Sequence, residues 1–550
     1  MTRARWAWAV AAAAALPFWS ALFARFVDWD DPVFIAKNAA LANFDLRWML
    51  TSTFGGHWHP LTWLSLALDR VVWGPGAFGP HLTNLLLHAA AAAVFFDVAR
   101  RLLGGGEDAD LPAAFSALLF AAHPLRAESV AWAIERRDCL SGLLYLLTLR
   151  FWLQDRVRPA LACYAASLLA KGIGVTLPVA LALVDAVGRG RALDRAWLRR
   201  AAPFCALALG FGFFGLWAQR VNGAGLPLSR FSLSSRLAVA SYGLWFYPLK
   251  TVLPAGLIPL YPLPKPLPTL SQFPYGPAFV CALGAAALVW RKRRDHPGLA
   301  ACALFYAATV APVLGALRFG PQLVADRYSY LSCLPLALLA GEALRRARAD
   351  AGRRKTAEAA AAAVVLLLTG LTSRQVLFWR DSDALWRREL AVRQDVPLAH
   401  HFLANEAMAR GDFAGAEESD RAALAEDPRY APSLNGLGLS LTAQGRVTEA
   451  QAQFKAALAA KPDYWEAANN MGLALGRAGR YDEAAAAFRK ALELAPDNPG
   501  VHGNLGLALL SAGREKDGLA ELDAALALDP DQPRLAAIRE QLKSGTKSRF

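Results

Sequence analysis

Apolar runs of membrane-crossing length fill residues 6–371, and short arginine-rich loops separate them. In hydrocarbon every backbone N–H and C=O must find a partner inside the protein, so a chain built this way packs helices together or closes a barrel. The runs lie near 6–26, 81–103, 112–134, 139–153, 201–218, 275–290, 298–317, 328–344 and 357–371. Their length and continuous apolarity predict helices. Residues 159–187 form a longer run broken by "AKGIGVTLP", with arginines on both flanks. That pattern predicts a tight hairpin of two short spans with Lys171 at its outer turn. Residues 236–262 are apolar but hold four prolines and a lysine, which predicts a non-spanning or re-entrant piece on the outer side. The expectation is an all-α polytopic bundle of about 11 spans. No small-residue cleavage site follows the first run, so it reads as an uncleaved span with a cytoplasmic N-terminus.

Composition agrees: 55% of the 550 residues are hydrophobic, and the mean hydropathy is +0.26. The net charge of +14 does not point to nucleic acid, because the basic residues sit in short loops between apolar runs. Examples are "GRGRALDRAWLRR" (188–200), "RKRR" (291–294) and "RRARADAGRRK" (345–355). Such loops are retained in the cytoplasm. The six cysteines lie in or beside apolar runs without metal-ligand or CxxC spacing, and read as small buried hydrophobes.

The loops on the other side differ in chemistry. They are "DWDDPVF" (28–34), "GGHWHPLTW" (55–63), "HPLRAESVAWAIERRD" (123–138), Lys171 and "VADRYSYL" (324–331). Charges near membrane depth are costly and usually face a cavity. Asp30 and Asp31 are candidate general bases, and a helix cap or a solvated loop is the competing role. Arg126, Arg136, Arg137, Lys171 and Arg327 are candidate phosphate clamps. His59, His123, Glu128, Asp138 and Asp326 accompany them on the same side. His81, Asn84 and His88 share one helix face. A packed polar face suits them better than a metal, because no ligand triad accompanies them.

From residue 372 the chain reads as soluble, and a 34-residue period appears. Pro428, Pro462, Pro496 and Pro530 follow that step, as do Gly445, Gly479 and Gly513, and Gly438, Gly472 and Gly506. A degenerate copy precedes them at Ala404, Gly411, Ala416 and Leu424. This is the tetratricopeptide pattern of stacked helix pairs, with four repeats over 395–532 and a cap helix and basic tail over 533–550. The concave face of such a stack holds extended peptides. Asn435 and Asn469 share one position on the first helix of a repeat. They either bond a peptide backbone or serve the helix turns themselves.

Five blocks resemble bacterial membrane proteins with tetratricopeptide tails: "HPLRAESVAWAIERRDCLSGLLYLLT", "LLAKGIGVTLPVALALVD", "YPLKTVLPAGLIPLYP", "VADRYSYL" and "FWRDSDALWRREL". Together with "DDPVFIAKN" and "HLTNLLLHAAAAAVFF" they look like the transmembrane-and-tetratricopeptide protein O-mannosyltransferases. The resemblance implies a GT-C-like transmembrane domain (1–372), a linker helix (373–394) and the repeats. It implies an inverting glycosyltransferase with a polyprenyl-phosphate sugar, mannose above all, as donor and no further cofactor. The acceptor would be a Ser/Thr of envelope proteins held in the tetratricopeptide groove. The family's early acidic motif falls on Asp30 and Asp31. The expected setting is a bacterial inner membrane with the tail extracytoplasmic. The competing reading is a non-enzymatic membrane-anchored repeat scaffold.

Overall fold

The computed structural model describes residues 2–56, 58–222, 231–314 and 322–544. His57, the end of the predicted 298–317 span and residues 545–550 of the basic tail lie outside them. The chain divides into two compact units, Met1–Leu385 and Trp386–Phe550.

In the first unit the helix Phe78–Leu102 is central. It packs against Arg3–Ala15, Asp110–Ala121 and Arg136–Leu153. Its Asn84 and His88 are buried; Asn84 bonds the segment that joins the last two of those helices, and His88 the last residue of the first of them, Ala121. Small residues permit the close approaches: a Cβ on Gly142 would collide with the Tyr330 ring, and one on Gly341 with Ser116. Helices at the periphery keep apolar faces outward, with Leu209 and Phe213 of Arg195–Val221 each about three-quarters exposed. Among the described residues, Arg3–Phe23, Phe78–Leu102, Arg195–Val221 and Ala351–Trp379 are each long and apolar enough to cross a membrane.

One predicted segment is corrected, and a second is more regular than expected. The 112–134 run does not continue as one span. Its helix is Asp110–Ala121, and Pro124 follows. Short turns then carry the chain through 3-10 Pro124–Arg126, Ala127–Ala131 and 3-10 Ala133–Glu135 to the next helix. Every residue from 121 to 136 is buried, so the charges of Arg126, Glu128 and Glu135 are held inside protein, where each needs a partner. The 236–262 piece is more regular than its prolines suggest, and its helix is not among those long and apolar enough to cross a membrane. It contains a 20-residue helix, Leu233–Val252, roughly 30 Å long at 1.5 Å per residue. Only Pro248 falls within it, and the other three prolines follow its end. Beyond it, Tyr261–Pro262 pairs antiparallel with Gln322–Val324, which draws the loop carrying Asp326 and Arg327 against this segment. The 159–187 hairpin forms as Val157–Ala170 and Leu177–Leu183 around 3-10 Gly172–Thr176, and Lys171 occupies the turn in extended backbone.

Charge is sorted along the helix Arg136–Leu153. At its far end Asp97 pairs with Arg3, with Arg101 at 3.3 Å and with Arg150 at 3.0 Å. Just past that end Asp155 takes Arg189, Arg191 and Arg200 at 2.5, 2.7 and 3.1 Å. The chemically mixed residues gather at the other end, about 27 Å away for 18 residues.

The second unit is a solenoid of helix pairs. Pro397–Ala409 pairs with Phe413–Glu426, Ala431–Ala443 with Val447–Ala460, Trp465–Arg477 with Tyr481–Leu494, and Pro499–Ser511 with Glu515–Leu528. Pro533–Lys543 caps the stack. The 34-residue step has a local cause. Gly411, Gly445, Gly479 and Gly513 turn each pair at φ of 74–79°, where other L-residues are strained. Gly438 and Gly472 admit the Phe454 and Phe488 rings at 2.5 and 2.6 Å from where a Cβ would stand.

Candidate active site

The first loop sends its two aspartates to different tasks. Asp31 is fully buried. Its carboxylate accepts the N–H of Val27 and the N–H of Ile134, both at 3.1 Å, so it ties the loop to the buried 122–135 segment. Burial pushes its pKa up to about 8 against those two bonds. Asp30 is half-buried, and its side chain accepts no hydrogen bond among the described residues. Burial raises it as well, with Arg137 and Arg327 pulling down and Glu135 pushing up. Trp29, beside it, stacks on Trp132 at 4.8 Å, and Trp132 lies 5.4 Å from Trp379.

Around Asp30 a cluster of opposite charges closes. Glu135 takes Arg137 at 2.5 and 3.1 Å, Lys171 at 3.2 Å and the Arg327 Nε at 3.5 Å. Burial alone would raise Glu135, but Arg137, Lys171 and Arg327 outweigh it and hold its carboxyl well below the usual range. Lys171 also bonds Asp138 at 2.5 Å, and Asp138 accepts the Ser129 hydroxyl at 3.1 Å. Arg327 pairs with Glu128 through its guanidinium and through its backbone N–H at 2.8 Å. Its guanidinium carbon stands 5.7 Å from the centre of the Trp132 ring. Asp326 accepts the Tyr261 hydroxyl at 3.0 Å.

The five clamp candidates therefore separate. Arg137, Lys171 and Arg327 come together and keep 12–15% of their side-chain surface exposed. Arg136 is not among them: it is fully buried and consumed by Asp69, by Asn84 and Ser65 at 2.5 and 2.6 Å, and by the Pro80 carbonyl. Its role is to pin the start of its helix. Arg126 is likewise buried, held by Ser329 and flanked by the Phe120 and Tyr330 rings at 5.3 and 5.5 Å. The void beside it is about 10 Å³, lined also by His123 and Thr251. That is room for one water, too little for a phosphate.

His123 is a brace. Its Nδ1 accepts the Leu125 N–H at 3.2 Å, which leaves Nε2 to donate to the Thr251 carbonyl at 3.1 Å. Burial, and then Arg126, pull its pKa down to about 3, so the ring is neutral. His59 opens the helix Pro60–Trp73, whose Thr62 bonds the carbonyl of Ala170 at 2.9 Å, next to Lys171. The Asn84 amide donates to the Val130, Trp132 and Ala133 carbonyls, and His88 meets Tyr330 and the Ala121 carbonyl. This polar face shapes the 122–135 segment.

Glu135, Trp29, Trp132 and Tyr261 were not singled out from sequence. Glu135 stands within the "ERRD" block, where its central place among three cations was the missing information. In the tail, the Asn435 oxygen accepts from Asn470 at 3.0 Å and that of Asn469 from Asn504 at 2.9 Å. Neither Asn435 nor Asn469 donates a side-chain bond among the described residues.

Tetratricopeptide-repeat family models match residues 401–464, 435–499 and 477–542. Protein O-mannosyl-transferase Tmtc2 of Drosophila melanogaster is 30% identical over 280 residues, covering 48% of this chain and 28% of that protein. TMTC2 of Homo sapiens is 36% identical over 97 residues (17% and 11%), and human TMTC4 is 30% identical over 171 residues (24% and 22%). The chain thus spans less than a third of the length of these curated relatives. Among solved structures, a thermophilic TPR protein of Thermus thermophilus is 24% identical, covering 32% of this chain and 93% of that one, with a TM-score of 0.26. YrrB, described as a TPR protein with an unusual peptide-binding site, is 20% identical with coverages of 32% and 89% and a TM-score of 0.27. The chain is all-α with a tetratricopeptide tail, and about half of it is similar to a protein O-mannosyl-transferase of the TMTC group.

Proposed function

We propose that the chain is a GT-C-type membrane glycosyltransferase that moves a sugar, mannose by analogy with its relatives, from a polyprenyl phosphate to a Ser/Thr hydroxyl of envelope proteins. One observation carries the reading. Of two adjacent aspartates, Asp31 is consumed by backbone bonds, while Asp30 stays without one beside Arg137 and Arg327.

Asp30 accepts the proton of the acceptor hydroxyl. The oxygen attacks the anomeric carbon, the bond to the phosphate oxygen breaks, and the configuration inverts. A base with a raised pKa works nearer neutral pH than an ordinary carboxylate. Arg137, Lys171 and Arg327 take the departing phosphate. In the free enzyme they are neutralised by Glu135, Asp138 and Glu128. Donor binding then exchanges one set of anionic oxygens for another instead of desolvating bare cations. Arg126, Arg136, His123 and Asp326 hold the surrounding loops. The amides of Asn435 and Asn469 donate to the backbone of the acceptor protein. The setting is a bacterial inner membrane, with the N-terminus cytoplasmic and the repeats outside.

The test uses the full-length protein in liposomes, given polyprenyl-phosphate mannose and an extract of envelope proteins. Mannosylated protein with inverted anomeric configuration is the expected product. Envelope proteins retained by the tail without transfer from any polyprenyl-phosphate sugar would favour the scaffold reading.

A further inference from the structure

The helices Tyr275–Lys292 and Pro297–Val310 enclose a cleft of about 150 Å³ that the chemistry above does not use. Leu288, Val289, Leu299 and Ala300 line it, with Lys292 and His296. It shares no residue with the charged cluster around Glu135. The first of these helices has no buried residue, and Val280, Leu283, Leu288 and Trp290 are all more than half exposed.

The turn between the helices is strongly basic, "RKRRDH" at 291–296. Its one acid, Asp295, is paired with Lys292 at 3.5 Å. Arg293 folds back over the Trp290 ring at 3.6 Å. Arg291 and Arg294 make no ion pair among the described residues. An apolar cleft that ends in surplus positive charge matches a molecule with a hydrocarbon chain and an anionic phosphate. A tryptophan beside the basic turn suits the headgroup level of a bilayer. A second copy of the chain fits less well, since pairing this hairpin with itself sets two cationic turns against each other.

We infer that this cleft is a binding site for one anionic glycerophospholipid. An acyl chain lies between Leu288 and Val289 on one helix and Leu299 and Ala300 on the other. Lys292, Arg294 and His296 take the phosphodiester. No bond is made or broken, so the site anchors and tilts the hairpin.

Native mass spectrometry of the full-length protein in detergent tests this, with phosphatidylglycerol and phosphatidylcholine titrated separately. One phosphatidylglycerol is expected to be retained, preferred by about tenfold over phosphatidylcholine. Lys292→Gln with Arg294→Gln should abolish the preference. Ala300→Trp, which fills the cleft and keeps the charges, should remove retention of both lipids. Equal retention of the two lipids by the native chain, or unchanged phosphatidylglycerol in both variants, overturns the inference. Displacement of the lipid by millimolar inorganic phosphate also overturns it, by reducing the site to a headgroup patch. A lipid-free dimer that Ala300→Trp dissociates assigns the face to a second copy and overturns it too.

Discussion

Asp31→Asn should make the protein less stable in acid and more stable at neutral and alkaline pH, and the size of the reversal follows from the burial of Asp31. The folded carboxyl titrates near 8 against an ordinary value of 3.8. A carboxyl whose folded pKa is raised holds its proton more tightly in the folded state. Its contribution is therefore fully present below the unfolded pKa and is lost as the pH rises towards the folded one. The loss is about 1.4 kcal/mol per pH unit, which sums to roughly 5 kcal/mol at pH 8. Asparagine does not titrate. It keeps one acceptor oxygen for two N–H groups, those of Val27 and Ile134, so one buried donor goes unmet at a cost of about 1–3 kcal/mol. Native and variant chains then cross between about pH 4.5 and 6, and at pH 8 the variant leads by roughly 2–4 kcal/mol. Thermal unfolding of both proteins in one detergent, followed by tryptophan fluorescence from pH 4.5 to 8.5, reads the difference directly. A gap in melting temperature that is constant with pH would refute the reasoning, as would one that widens against the variant in alkali.

Arg136→Met removes the partner of buried Asp69 and should cost about 3–5 kcal/mol, seen as loss of the monodisperse peak in size-exclusion chromatography. Its neighbour behaves differently. Arg137→Gln should stay monodisperse while transfer falls about 10²–10³-fold. Gly472→Val forces a side chain into the Phe488 ring and should destabilise the solenoid by about 1–3 kcal/mol or more, read as faster proteolysis of the tail in the intact protein. Asn435→Ala with Asn469→Ala should leave the tail protease-resistant and lower transfer to folded protein acceptors by roughly tenfold, the worth of one or two net hydrogen bonds.

The solenoid was legible because its rule is local. A turn glycine, a small residue opposite an aromatic and a helix-ending proline recur at a fixed step, and each acts within its own repeat or on the next. The apolar runs announced helices in the same way. The 122–135 segment was not legible, because its composition alternates apolar and charged residues as a span with occasional charges would. What decides its path is Asn84, which meets three carbonyls of that segment from a helix about fifty residues earlier. Of the cations in the loops grouped by sidedness, Arg137, Lys171 and Arg327 converge on Glu135. Sidedness did not distinguish Arg136 from Arg137 or Asp30 from Asp31. Adjacent residues on a turn point in different directions, and only long-range partners such as Asp69 and Ile134 tell them apart. Glu135 escaped for the same reason, since its weight lies in cations from three separate stretches of the chain.

The most direct measurement is the initial rate of mannose transfer to protein by liposomes holding equal amounts of folded native, Asp30→Asn and Asp31→Asn protein. Asp30→Asn should lose about 10²–10⁴-fold, the usual worth of a general base, while Asp31→Asn retains most of the native rate. Equal rates for Asp30→Asn and the native chain, or a loss confined to Asp31→Asn, would contradict Asp30 as the base.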